Sequence, residues 1–139
     1  MVRQARILIV EDHGDVADLY QLKLQLEGYL VAVAHDGPTG LELAQTLHPD
    51  LVLLDVHLPG VNGLEVLTRL SADPVTRDVP VLMFSQDDRV EVVEEARRRG
   101  ARDFLVKSRL LPATLAEAVA ALLNEPSAAS SKRSRQQAS

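Results

Sequence analysis

The chain has no cysteine. Disulfide bridges and thiolate metal ligands are therefore excluded, which agrees with a reducing compartment. Aromatic residues are only 3% of its 139 residues against 46% apolar, so the core must be aliphatic. No run approaches the ~18 apolar residues of a membrane-spanning helix, and the N-terminal residues lack a secretion-signal pattern. The sequence thus reads as soluble and cytoplasmic, with no membrane partner. Positive charge is scarce as well, with a formal net charge of −5. The imbalance is uneven: Glu125 to Ser139 carry one acid and three bases (Lys132, Arg133, Arg135), leaving 19 acids against 12 bases in residues 1–124. A body that acidic is a poor direct binder of nucleic acid. The length suits one domain around one core.

What the sequence does contain is a set of short apolar runs that end in charge: Ile7-Leu-Ile-Val-Glu-Asp12, Leu51-Val-Leu-Leu-Asp-Val56 and Phe104-Leu-Val-Lys107. Runs of this length and composition read as strands buried on both faces of a parallel sheet. Ligands of such sheets sit beyond the carboxyl ends of the strands. Glu11, Asp12, Asp55 and Lys107 are therefore expected on one rim, an acidic cluster facing one ammonium.

Between these runs the pattern alternates. Strands are predicted at Arg6 to Val10, Leu30 to Ala34 (a weakly alternating edge strand), Leu51 to Val56, Val79 to Phe84 (opening after Pro80) and Arg102 to Val106. Helices are predicted from Asp15 to Gly28, with Val16, Leu19, Tyr20 and Leu24 on the buried face, and from Pro38 to Leu47. Three more follow at Gly63 to Leu70, Arg89 to Arg99 and Pro112 to Leu123, the last with an inward stripe of Leu115, Val119, Leu122 and Leu123. Gly28 and Gly100 read as helix terminators. Five strands alternating with five helices imply an α/β, doubly wound, flavodoxin-like fold with a parallel sheet in the order 2-1-3-4-5. That order makes the strands ending in Asp12 and Asp55 neighbours. The first 124 residues are expected to form the domain, and residues 125–139 a disordered, basic, Ser-rich tail.

Carboxylates gathered on one rim cannot all stay ionised without help. Oxygen ligands with no His or Cys nearby favour Mg²⁺, held by one or two carboxylates plus waters and a phosphate. Asp55 is the candidate nucleophile toward phosphorus, because it ends the central strand before a turn-rich loop, His57-Leu-Pro-Gly-Val-Asn-Gly63. Lys107 and the metal would offset phosphoryl charge, and the Ser85 hydroxyl is placed to donate on the same rim. Each residue also has a plainer reading. Asp12 or Asp15 can serve as a helix cap, Lys107 as a solvated strand end and Phe104 as core, and His57 is more readily a loop side chain than a ligand. The joint pattern favours the functional reading.

With these motifs in view, the chain resembles the receiver domains of two-component response regulators, of the kind seen in the chemotaxis response regulator. The similarity covers roughly Ala5 to Leu123 and is carried by Ile-Leu-Ile-Val-Glu11-Asp12, Leu-Leu-Asp55-Val-His-Leu-Pro59-Gly-Val-Asn-Gly63 and Ala101-Arg-Asp-Phe104-Leu-Val-Lys107. It implies a phosphoacceptor switch rather than an enzyme. Asp55 would receive a phosphoryl group from a histidine kinase or a histidine phosphotransfer protein. Glu11, Asp12, Asp55 and the backbone carbonyl of His57 would arrange Mg²⁺. Ser85 matches the hydroxyl switch position, Phe104 the aromatic switch position and Lys107 the phosphate-contacting lysine. A downstream effector protein would read the surface of helix four, strand five and helix five, where Glu94–Arg98 and Glu95–Arg99 are expected as ion pairs. A monomer or weak homodimer is implied.

Two residues depart from the family pattern. Gln86 stands where a small residue is usual after Ser85, and a long amide there is expected to modify access to the phosphoryl site. Ser108 stands where proline usually follows the lysine. A cis bond before Ser costs ~3 kcal/mol, so a trans peptide and a reshaped loop are expected. These departures motivate an alternative, a degenerate receiver that binds partners without phosphorylation. A phosphohydrolase of the haloacid-dehalogenase type would want a second Asp where His57 stands. A flavin carrier would want free amide and hydroxyl donors where Glu11-Asp-His-Gly-Asp15 stands. No effector domain follows residue 124, so a stand-alone receiver or a piece of a longer protein is expected.

Overall fold

The structure, a computed structural model, describes Gln4 to Glu125. Residues 126–139 of the expected tail lie outside the described residues. Glu125, the first residue assigned to that tail, accepts a hydrogen bond from the Arg102 guanidinium at 3.3 Å.

The elements alternate as β1 (Arg6–Val10), α1 (Gly14–Leu26), β2 (Leu30–Ala34), α2 (Gly37–Leu47), β3 (Leu51–Asp55), α3 (Gly63–Ala72), β4 (Val81–Ser85), α4 (Val90–Arg98), β5 (Asp103–Val106) and α5 (Pro112–Leu123). The sheet is parallel in the order β2-β1-β3-β4-β5. β3 and β4 are buried at every position, as continuous apolar runs in a two-sided sheet require. One core lies under α2, α3 and α4 and includes Leu8, Val10, Val52, Leu54, Val66, Leu67 and Met83. The other lies under α1 and α5 and includes Ile7, Ile9, Tyr20, Leu24, Leu53, Phe84, Leu115 and Val119. The doubly wound α/β architecture and its strand order are those the sequence implied.

Element bounds differ in instructive ways. β4 begins at Val81, directly after Pro80 as the sequence suggests though inside the Val79 to Phe84 span, because Val79 is drawn into a turn by Thr76 and the ladder starts with the Pro80 carbonyl accepting from Val52. α1 buries Ala17, Tyr20 and Leu24, but Leu19, placed on the inner face by the sequence, is 51% exposed. It stands on the outer side with Leu22 and Leu26, since residues spaced three and seven apart share one face of a helix. On α4, Arg98 and Arg99 both pair with Glu95; the expected Glu94–Arg98 pair gives way to the three-residue spacing.

Gly28 and Gly100 follow α1 and α4 with φ of 97° and 112°, the left-handed backbone that suits glycine at a helix end. His48 adopts the same region at the end of α2, with φ 49° and ψ 60°, at the steric cost of a Cβ there. Replacing it with glycine is expected to stabilise the fold by about 1 kcal/mol, read as a higher urea midpoint at unchanged slope. A midpoint that is equal or lower would contradict that conformation.

Candidate functional site

Strand parity decides which side chains meet. Ile7 and Ile9, Leu51 and Leu53, and Leu82 all face the α1–α5 core. Counting on by twos puts Glu11, Asp55 and Phe84 on that same side at the strand ends. Leu105 of β5 packs on this core too, and Lys107 follows two residues later. Asp55 is in register with Phe84, and Phe84 with Leu105, so the strand ends are level.

The result is a compact charged cluster. Lys107 Nζ donates to Glu11 Oε1 at 2.9 Å, to Glu11 Oε2 at 3.0 Å and to Asp55 Oδ2 at 2.9 Å. The side chains of Glu11, Asp55 and Lys107 are 0%, 4% and 8% exposed, so water screens these charges weakly. The other Asp55 oxygen, Oδ1, accepts the His57 N–H at 3.2 Å. The loop carrying His57 is pinned by Gly63, whose N–H donates to the Val56 carbonyl at 2.8 Å. A methyl group on Gly63 would overlap the Asp55 carbonyl, so only glycine lets α3 approach the strand end this closely.

Burial, and next the Asp55 carboxylate, push Glu11 up to about 7 against the pull of Lys107. Burial disfavours the Lys107 ammonium, yet the bonds it donates to Asp55 and Glu11 outweigh this and hold it above the ordinary lysine range. At Glu11, like charge and desolvation oppose the carboxylate, and the single ammonium answers only part of that.

Asp12 lies at the edge of the cluster. No side-chain bond caps α1, whose N-cap is His13, so Asp12 does not serve as the cap. Its Oδ1 is buried without a hydrogen-bond partner. Contrary to the expectation of an oxygen-only surrounding, His13 joins the group: its Nδ1 lies 3.3 Å from both Glu11 Oε1 and Asp12 Oδ1, although the ring is 70% exposed. Single ligand atoms from Glu11, Asp12, His13 and Asp55 all fall within 4.8 Å of one another. A buried carboxylate oxygen that makes no hydrogen bond and three acids against one ammonium fit a hard divalent cation, and carboxylate oxygen suits Mg²⁺.

The remaining sequence candidates divide. Ser85 is fully buried, its Oγ accepting the Asp87 N–H at 3.1 Å. Phe104, partly buried, packs on the α2–α4 core and is in register with Met83, so it shares a sheet face with Ser85 two residues beyond. The His57 ring leaves the cluster and pairs with Asp87 at 3.1 Å, a carboxylate that Arg89 grips at 2.9 and 2.7 Å and holds well below the usual range. Gln86 and Ser108 are exposed. The Lys107–Ser108 peptide is trans and opens a short 3-10 turn over Lys107–Arg109. His13 and Phe84 are the neighbours of the cluster that the sequence did not single out. Strand parity was the available signal for Phe84.

The chain belongs to the response regulator receiver domain family, whose model matches residues 7–120; these are domains of two-component signalling that partner with histidine kinases and act as phosphoacceptors. The acidic pocket of Glu11, Asp12 and Asp55 is consistent with a phosphoacceptor site and typical of a receiver Mg²⁺ site. The chain is 42% identical over 107 residues to the response regulator PleD of Caulobacter vibrioides, covering 74% of this chain and 23% of that protein. It is 38% identical over 105 residues to protein PilH of Pseudomonas aeruginosa, covering 74% and 85%. The chemotaxis protein CheY4 of Vibrio cholerae superposes with a TM-score of 0.82 at 28% identity, over 86% of this chain and 99% of that one. The chain spans less than half the length of PleD and of RpaA from Synechocystis, 23% and 42% respectively. No helix among the described residues is long and apolar enough to cross a membrane.

Glu11 must release its proton before it can offer charge to a cation. Mg²⁺ affinity is therefore expected to rise about tenfold from about pH 6 to about pH 8, with protons released on binding. In the metal-free protein the same upward shift makes stability fall as pH rises from the ordinary glutamate range through about 7. Calorimetric titration checks the first expectation, and Glu11→Gln should flatten it. A pH-independent wild-type affinity would contradict it.

Proposed function

We infer that this protein is a phosphorylation switch in which Asp55 receives a phosphoryl group from a histidine kinase or histidine phosphotransfer protein. The observation that carries the reading is the setting of the Asp55 carboxylate: buried, with Oδ1 held by the His57 N–H and Oδ2 by Lys107. In transfer, an Asp55 oxygen forms a bond to phosphorus as the phosphorus–nitrogen bond of phosphohistidine breaks, the electron pair staying on the imidazole. Held in place by β3 and the Gly63 contact, the carboxylate needs little reorganisation to attack in line. Lys107 donates to a phosphoryl oxygen and offsets its charge.

Glu11, Asp12, Asp55 and the His57 backbone carbonyl would hold Mg²⁺, which when bound supplies positive charge to the transferring group. The Ser85 hydroxyl, an acceptor from Asp87 N–H, keeps its own hydrogen for a phosphoryl oxygen. Drawing Ser85 inward opens space on the face it shares with Phe104, and inward movement of that ring alters the α4–β5–α5 surface read by an effector protein. This is a shift between two populations and needs only a few kcal/mol of differential contact. Exposed Gln86 tunes access of donor and water. Residues 1–124 constitute the switching domain.

Incubation with acetyl phosphate and Mg²⁺ is expected to add one phosphoryl group by intact mass, and Asp55→Asn to abolish the gain. An equal gain in Asp55→Asn would contradict the assignment. Multiple turnover on a phosphate ester would instead mark a phosphohydrolase, and an unchanged wild-type mass a receiver that binds partners without phosphorylation.

A further inference from the structure

The three hydrogens of the Lys107 ammonium are matched by three short contacts to Glu11 and Asp55, yet these carboxylates are also the groups the switch requires elsewhere. Glu11 is wanted by a cation and Asp55 by phosphorus. An ammonium whose only partners were these two would be left without one between the uptake of a cation and the arrival of a phosphoryl oxygen. The remaining side of Lys107 is closed by something that neither event consumes. Its Nζ stands over the ring of Phe84, 4.7 Å from the centroid, within the ~6 Å over which a cation is drawn to an aromatic face. Phe84 has no exposed surface, so water does not weaken that attraction. The ring is itself fixed: Tyr20, 5% exposed, meets it at 5.6 Å between centroids and 72° between planes, an edge-to-face pair of the favoured kind.

Resting on the phosphoacceptor reading of Asp55, we propose that Phe84 is a positioning residue for phosphoryl transfer, an aromatic seat that keeps the Lys107 ammonium in the pocket while Glu11 and Asp55 change partners. A hydrogen bond fixes an ammonium to one acceptor, whereas a ring face attracts it over a broad area. Lys107 can therefore slide from Glu11 toward a phosphoryl oxygen without crossing an unpartnered state. An aliphatic side chain of similar volume would fill the core as well but leave the cation with no such partner. The chain has only two phenylalanines and two tyrosines. One of each is placed beneath the one ammonium of this site, and that makes core filling an incomplete account of the pair.

The test replaces Phe84 alone, in the full-length chain, with mono-, di- and trifluorinated phenylalanine, which keep the ring's shape while draining its negative face. Phosphorylation by acetyl phosphate and Mg²⁺ is expected to slow stepwise, reaching about three- to tenfold with the most fluorinated ring, at an unchanged thermal midpoint. In a Lys107→Gln background the same series should have no effect. In the metal-free protein, the ring current should displace the Lys107 ε-methylene protons upfield, and Phe84→Leu should return them to ordinary lysine positions. Rates indifferent to fluorination, an equal decline in the Lys107→Gln background, or ordinary ε-methylene positions in the wild type would each overturn the proposal. A wild type that accepts no phosphoryl group would count against the phosphoacceptor reading instead, and the ring-current shift would still decide whether the seat exists.

Discussion

One ammonium holding two buried carboxylates together is the constraint on which this molecule turns. Glu11 and Asp55 end strands that the fold sets side by side, and without Lys107 their charges would face each other with little water between them. Buried ionic groups of this kind seldom exist to stabilise a fold, because the desolvation they suffer rivals the attraction they gain. Here the arrangement has a use. It holds a buried carboxylate pair at the strand ends with one ammonium between them, beside an Asp12 Oδ1 that makes no hydrogen bond although the His13 ring lies 3.3 Å away. Such a cluster is consistent with a phosphoacceptor site and typical of a receiver Mg²⁺ site.

The fold serves that constraint by parity. Two residues per repeat along each strand carry Glu11, Asp55, Phe84 and Lys107 to one face, and Ser85 and Phe104 to the other. The charged pocket and the pair of residues proposed to relay its state thus lie on opposite sides of the same sheet edge. Ser85 is the hinge between them: its backbone belongs to β4 next to Phe84, while its hydroxyl meets the Asp87 N–H of the following loop. That loop is also tied across to the β3–α3 loop through His57 and Asp87. Asp55, His57 and Asp87 are thus joined in one line of contacts that spans the two loops.

Much of this was legible in the sequence, for identifiable reasons. Charge at the end of an apolar run marks where a buried strand emerges, so Glu11, Asp12, Asp55 and Lys107 could be assigned to one rim before any coordinates. Alternation and handedness then left the observed strand order. The inner face of α1 was legible at Val16, Tyr20 and Leu24 but not at Leu19, because leucines at 19, 22, 24 and 26 lie on both sides of the helix and apolar character alone does not choose among them. The start of β4 was obscured by Val79, whose β-branched side chain suits a strand but whose N–H is spent on a turn. His13 and Phe84 were missed for a different reason. Their importance lies in where a ring sits relative to charges from other strands, which depends on cross-strand register and loop geometry rather than on any local pattern.

If the lone ammonium and a divalent cation are alternative remedies for the same repulsion, removing one must increase dependence on the other. The direct measurement is the unfolding free energy of Lys107→Met against wild type at about pH 8, with and without saturating Mg²⁺. Without metal the variant should lose about 3 kcal/mol, as expected when a buried ion pair loses one member, and Mg²⁺ should stabilise it more than it stabilises wild type. Equal metal-free stability and an equal magnesium response in the two proteins would contradict the account.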